Sequence, residues 1–235
     1  MITLYTFGPY WNMPDPSPFV MKADLLMKLS GLPYQTDTRG FGKAPKGKLP
    51  YIRDGETLVA DSTLIRLHLE QQYAIDFDKG LSARDRGVAW SAEKMLEDQL
   101  YWVVVYWRWL HDANFEKGPK AFFQRAPAFV RPLVIPLVRR RIRATLHGHG
   151  IGRHSEAERT AMAARGIDAL SQILGDNRYF MGAAPCGADA TVFGFVSSML
   201  CPQFDSPIRD KVASLPNLVA YNDRMMREYY PGFVK

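Results

Sequence analysis

A chain of 235 residues is long for one ordinary globular domain and short for two average ones, so one large domain or two unequal ones is expected. A hydrophobic fraction of 47% with 23% charged residues excludes a disordered chain, and 18 Gly plus 16 Pro without a period exclude a collagen-like repeat. Thirty Lys and Arg against 24 Asp and Glu give +6, a bias that suits acidic small molecules, anionic membrane surfaces or nucleic acid without choosing among them. The two cysteines, Cys186 and Cys201, form neither a CxxC pair nor a zinc knuckle, which favours a reducing compartment. Met1 to Tyr5 lack a secretory signal's basic and apolar regions, and no stretch holds the ~20 apolar residues that span a bilayer, so a cytoplasmic location is expected.

In chain order, Ile2 to Thr6 reads as a strand ended by Gly8 and Pro9. A loop with Pro9, Pro14, Pro16 and Pro18 leads into a helix whose apolar residues Phe19, Ala23, Leu26 and Met27 recur at helical spacing before Gly31 stops it. Pro33 to Gln35 begin a second strand, which fades into a Gly- and Lys-rich stretch from Arg39 to Lys48. Tyr51 and Ile52 make a third strand, Asp54-Gly55 a turn, and Thr57 to Val59 a fourth strand. Asp61 and Ser62 start a helix running toward Tyr73. The order is βαβ, a break, then ββα.

The rest reads as helices: Glu93 to Leu110, apolar nearly all round; a capping box at Ser155 and Glu158 ahead of a helix to Leu174; Gly187 to Leu200; and Leu218 to Tyr229. Residues 1–75 therefore form one expected domain, 76–83 a linker, and 84–235 an all-helical domain.

Three local features fall where a thioredoxin-like domain binds thiols. At Ser17-Pro18, a hydroxyl at the positive end of a helix can donate to a bound thiolate, and ordinary capping accounts for it equally. With Ser at 17 and Val at 20 there is no CxxC chemistry, so a thiol must come from a cofactor. At Leu49-Pro50, a cis bond would leave the Leu49 backbone free to pair with an extended peptide, whereas a trans proline would simply begin a strand. At Asp61-Ser62, the helix N-terminus suits a carboxylate and the Asp an amino group, with a plain N-cap as the alternative.

Together these residues resemble the glutathione transferase superfamily, and the resemblance covers nearly the whole chain. It implies an α+β two-domain glutathione transferase fold: an N-terminal thioredoxin-like βαβ-ββα domain that binds glutathione, followed by an all-helical C-terminal domain. Ser17-Pro18 looks like the activating position of the serine and cysteine classes, Leu49-Pro50 like the family's cis-proline, and Asp61-Ser62 like its γ-glutamyl recognition pair. Leu174-Gly175-Asp176, Tyr179 to Gly182 and Ala188-Asp189 look like the family's helix-capping signature, with Cys186 where Ser or Thr is usual. The Pro-rich loop, the Ser-Pro-Phe entry and Gly150 to Ser155 resemble the metaxin-like and failed-axon-connections-like branch. That branch includes members with roles in axon development or mitochondrial import, so a non-catalytic binding or membrane-associated assembly protein is the alternative to a transferase.

The resemblance implies glutathione as co-substrate and no metal, with Ser17 catalytic and Leu49, Pro50, Asp61 and Ser62 binding. Lys48, with Lys46 and Arg39 as rivals, is the cation for the glycine carboxylate, while Tyr5 and Tyr10 are second choices to Ser17. A small apolar electrophile would meet Tyr10, Trp11 and Tyr106 in a pocket between the domains. A homodimer is expected. The stretch from Ala126 to Arg143 is anomalous, its prolines interrupting an apolar run that ends in Arg139, Arg140, Arg141 and Arg143. A solvated basic helix is the expectation, with weak membrane-surface contact through these arginines as the rival. No nucleic-acid partner is expected, because no recognised binding module accompanies them. His147, His149 and His154 match no known metal-ligand spacing.

Overall fold

The computed structural model describes residues 1–125 and 127–234. Ala126, the expected start of the basic stretch, and Lys235, the expected end of the helical domain, lie outside the described residues.

Strand β1 (Ile2–Tyr5), helix α1 (Pro18–Ser30) and strand β2 (Tyr34–Asp37) are followed by β3 (Tyr51–Asp54), β4 (Thr57–Ala60) and α2 (Ser62–Tyr73). The sheet order is β2-β1-β3-β4. β1 and β2 run parallel, with Ile2 opposite Tyr34, because α1 supplies the crossover that a parallel pair requires. β3 runs antiparallel to both neighbours, and Gly55, at φ +57°, turns it into β4. Ile2, Leu4 and Ile52 point from the sheet into the core beneath α1, whose Met21, Leu25 and Leu26 are fully buried.

Among the described residues, eight α-helices follow: α3 (Ala83–Lys94), α4 (Tyr101–Val105), α5 (Asp112–Lys117), α6 (Arg131–His149), α7 (Glu156–Leu174), α8 (Gly187–Leu200), α9 (Pro207–Ala213) and α10 (Pro216–Tyr229). The helix expected over Glu93 to Leu110 starts earlier, at Ala83, and is wound wider in two π-helical segments, Met95–Leu100 and Tyr106–Leu110. In the second, the His111 N–H reaches the Tyr106 carbonyl five residues back at 3.3 Å.

Helix α8 is the axis of the molecule, buried from Gly187 to Met199. Asp189 holds its start, accepting from the Cys186 N–H, the Phe180 N–H and the Tyr221 hydroxyl, each at 2.8 Å. The reach-back bond survives Cys at 186, because it uses that residue's backbone rather than its side chain. α1 lies along α8, and at Gly194 the approach is so close that a Cβ would stand 2.7 Å from the Pro18 carbonyl.

Between these layers lies a buried ionic cluster that the apolar pattern of α1 conceals. Lys22, fully buried, donates to Glu93 at 3.0 Å and Glu97 at 2.6 Å. Arg66 of α2 donates to Glu93 at 2.6 Å, Asp78 at 2.5 Å and Glu70 at 2.8 Å. Burial pushes the Glu93 carboxyl up, but Lys22 and Arg66 outweigh it and leave it below the usual range. Gly187 makes room for Arg66, since a Cβ there would lie 2.4 Å from the guanidinium carbon.

The basic stretch departs from expectation in two ways. Its prolines do not break it: α6 runs on through Pro136, while Pro132 sits in the first turn, where a missing N–H costs little. Arg139 does not belong with its neighbours, because it turns inward to the Trp109 carbonyl at 3.1 Å, the Leu110 carbonyl at 2.9 Å and Asp112 at 2.5 Å. It ties off carbonyls that the end of the π-helical segment leaves without helical donors. His147 and His149 lie in the last turn of α6, and the His149 ring packs on Trp102.

Candidate functional site

The site begins at the loop between β1 and α1. Tyr10 and Met13 exchange both backbone bonds, 3.1 and 3.0 Å, across a two-residue turn in which Trp11 and Asn12 have φ of +53° and +58°. Left-handed backbone is rare for a tryptophan. Packing compensates: the Trp11 ring meets Phe204 edge-on at 4.8 Å and Phe122 at 5.3 Å. Tyr10 stacks beside it on Phe122 at 5.5 Å.

Asp15 fixes the rest of the loop. Its buried carboxylate accepts from the Phe7 N–H at 2.9 Å, the Gly8 N–H at 3.0 Å and the Ser17 N–H at 2.9 Å, tying the end of β1 to the start of α1. Burial pushes its pKa up to about 7, although the three N–H groups pull the other way. The same loop takes a bond from Arg108, only 7% exposed, which donates to the Pro16 carbonyl at 2.8 Å and the Ser198 carbonyl at 2.7 Å. Its partners are carbonyls and a hydroxyl, with the Trp11 and Phe204 rings over its face, and burial pushes its pKa down to about 10. An intact guanidinium charge thus sits one peptide from Ser17.

Ser17 caps α1, its Oγ accepting from the Val20 N–H at a long 3.4 Å. That bond uses a lone pair and leaves the hydroxyl proton uncommitted among the described residues. Val20 packs with Leu49, Tyr51 and Ala60 in a small cluster separate from the main core, which draws the first turn of α1 to the start of β3. The Leu49-Pro50 bond is cis. Among the described residues Leu49 makes no backbone hydrogen bond, while the Pro50 carbonyl accepts from the Asp61 N–H at 3.3 Å.

Asp61 is held at φ +101°, ψ +132°, a region nearly reserved for glycine. It stays there because its N–H is bonded to Pro50, its carbonyl accepts from the Ile65 N–H at 2.8 Å, and its carboxylate accepts from the Thr63 N–H at 3.0 Å. Its second carboxylate oxygen stands 3.9 Å from the exposed Lys48 ammonium, and Ser62 is buried beside it. The ionic cluster backs this corner, since Thr63 Oγ1 accepts from Lys22 at 3.5 Å and Lys94 at 3.2 Å.

Of the residues singled out from sequence, Ser17, Leu49, Pro50, Asp61, Ser62 and Lys48 are thus linked around one corner of the sheet. Arg39 is engaged with Asp37 instead. Tyr5 stacks on Tyr51 at 4.1 Å. Tyr10 and Trp11 do meet the helical layer, at Phe122 and Phe204, but Tyr106 does not join them. It turns to α7, donating to Glu156 at 2.9 Å with Arg159 over its ring. The cleft beside the loop, of about 510 Å³, is lined by Pro9 to Met13 and by Gly232 to Val234. The C-terminal residues of that wall, together with Asp15 and Arg108, escaped the sequence reading. An Asp inside a Pro-rich loop and a lone Arg in a run of tryptophans were the available signals.

Two helix N-termini meeting at an unpaired strand entry, beside a second layer of helices, define the glutathione-transferase class of thioredoxin-like proteins. Comparison with known families agrees: residues 18–114 match the glutathione S-transferase N-terminal domain, and residues 163–225 the glutathione S-transferase C-terminal domain. The chain is 30% identical to isoprene-epoxide glutathione S-transferase of Rhodococcus sp. strain AD45, over 97% of this chain and 99% of that one. It is 31% identical to Failed axon connections of Drosophila melanogaster, over 99% of this chain but 59% of that longer protein. Mouse metaxin-1 is 24% identical, over 97% of this chain and 75% of the relative. Among solved structures, a β-etherase from Sphingobium sp. strain SYK-6 superposes with a TM-score of 0.69 at 19% identity, covering 99% of this chain and 98% of that one. The chain belongs to the glutathione S-transferase superfamily.

Proposed function

We propose that this protein is a glutathione transferase that turns the glutathione thiolate on a small apolar electrophile. The observation that carries this is the linked corner: Ser17 with an uncommitted hydroxyl proton, Leu49 with an unpaired backbone, and Asp61-Ser62 at a helix start. Glutathione would lie extended along Leu49, its γ-glutamyl end at Asp61 and Ser62, its glycine carboxylate toward Lys48, and its sulfur at Ser17. The Ser17 O–H, the positive end of α1 and the buried Arg108 charge all favour the thiolate over the thiol. Sulfur then attacks carbon, an S–C bond forms, the leaving oxygen or other group departs with the bonding pair, and solvent supplies its proton. The chain's own contribution is to hold the thiolate and exclude water, through the Trp11-Phe122-Phe204 wall.

The Rhodococcus relative's name supports an apolar epoxide as the first electrophile to try. A homodimer is part of the same reading, supported by the exposed Leu64 and Leu67 of α2 and Trp90 of α3. So is a cytoplasmic location, supported by the two free, buried thiols.

Calorimetric titration with glutathione, followed by thiol consumption in the presence of a small alkene epoxide, tests the proposal. Binding below millimolar and turnover that falls in Ser17→Ala are expected. Failure to bind glutathione at millimolar concentration would refute a catalytic role and leave a binding or assembly protein on the same fold.

A further inference from the structure

Helix α6 carries a surface that the reaction does not use. Residues 121–155 hold seven arginines and no Asp or Glu, so this one segment accounts for more than the whole chain's net charge of +6. α6 packs inward through Ile142 and Leu146 and through Arg139, which is bonded to the Trp109 and Leu110 carbonyls. Its outer face carries Leu133, 75% exposed, and Leu137, 65% exposed, and the turn just before the helix carries Phe129, 81% exposed. Leu133 and Leu137, spaced i, i+4 on the helix, form one stripe, and Phe129 stands at its entry. The exposed Pro132 and Pro136 flank it, and the exposed Arg140, Arg141 and Arg143 continue the same side toward the C-terminus.

Large side chains this exposed are unusual in a stripe, and monomeric surfaces seldom leave such a patch without a partner. Charge identifies the partner's chemistry. With no carboxylate in the segment, a second copy docked face to face would set arginines against arginines or against the apolar stripe. Phosphates of a nucleic acid would meet the arginines but also the leucines, to no advantage. An anionic bilayer surface offers both environments in the right order, acyl chains for Phe129, Leu133 and Leu137 and headgroup phosphates for Arg140, Arg141 and Arg143. Pro136 leaves the Pro132 carbonyl without its helical donor, which suits a depth that water and headgroups still reach. Among the described residues no helix is long and apolar enough to cross a membrane, so α6 would lie on the surface and not through it.

We propose that the outer face of α6 is a docking surface for anionic lipid bilayers, the apolar stripe inserting at headgroup depth and the three exposed arginines binding the phosphates. This is independent of whether the site on the sheet turns over glutathione.

The test uses the full chain with vesicles of phosphatidylcholine alone and of phosphatidylcholine with a third phosphatidylserine, read by co-sedimentation across a salt series. Binding to the anionic vesicles, weakening with salt, is expected. Each arginine at such a surface is worth about fivefold in partitioning, so Arg140→Gln/Arg141→Gln/Arg143→Gln should lose about a hundredfold. Phe129→Ser/Leu133→Ser/Leu137→Ser should weaken binding even at low salt, and both variants alter exposed side chains, so thermal unfolding should be unchanged. Equal binding to neutral vesicles, absence of binding at low salt, or binding that survives both variants would overturn the proposal. So would light scattering that shows a dimer dissociated by the Phe129, Leu133 and Leu137 substitutions, because the face would then belong to a second copy.

Discussion

Ser17→Ala separates the two roles a serine can hold at the start of α1. As a cap, Ser17 contributes one bond, from the Val20 N–H, and its 3.4 Å length places it at the weak end of the capping range, about 0.5 kcal/mol. In a chain of this length that lowers the melting temperature by only about 1–2 °C. As a thiolate donor, Ser17 would supply a hydrogen bond to a charged group, worth about 1.5–3 kcal/mol, which is roughly one to two units of thiol pKa. Loss of that bond returns the bound thiol toward about 8.5 and lowers kcat/KM at pH 7 by about 10- to 100-fold, with the deficit closing above pH 9. The assay is a pH titration of the thiolate's ultraviolet absorbance in the glutathione complex, run beside thermal unfolding and kcat/KM. If Ser17→Ala shifts the melting temperature but leaves the thiolate titration in place, Ser17 is a helix cap alone and the catalytic assignment fails.

Three further predictions concern what holds the site. Because the folded-state pKa of Asp15 is raised to about 7 from 3.8, its stabilising contribution is full below about pH 4 and lost as the pH rises through about 7. Between pH 5 and pH 8 that amounts to on the order of 3 kcal/mol; urea unfolding should show this slope in the wild type and not in Asp15→Asn, and equal slopes would contradict the assignment. Lys22→Met leaves Glu93 and Glu97 buried, with Arg66 and Lys94 still beside them, so a loss of about 3 kcal/mol is expected, the low end for a broken buried pair. An unchanged denaturation midpoint would mean that the cluster is solvated. Gly194→Ala places a Cβ 2.7 Å from the Pro18 carbonyl and must push the start of α1 away from α8, so glutathione affinity should fall by more than stability does. Wild-type affinity in that variant would show that the first turn of α1 tolerates displacement.

Sequence alone established the elements, because their signals are local. A short apolar run marks β1, Tyr51 and Ile52 mark β3, the Asp54-Gly55 turn joins β3 to β4, and capping residues at Ser17, Asp61 and Ser155 open three helices. It also nominated Ser17, Leu49 and Asp61 individually, each with an ordinary reading that no local pattern could remove. The sheet and core resolved these readings geometrically: the Val20-Leu49-Tyr51-Ala60 cluster and the Asp61-Pro50 bond join three separate segments into one corner. The same distance effect hid Arg108, whose role depends on Pro16 and Ser198, some ninety residues away on either side. It sent Tyr106 to Glu156, because the rewound helix aims side chains that an even 3.6-residue period assigns to another face. It also withdrew Arg139 from the basic cluster while leaving Arg140 and Arg141 exposed. Hydropathy and capping are properties of neighbours in the chain, and they were legible; which charges are buried, which are paired and which face outward depends on residues that only folding brings together.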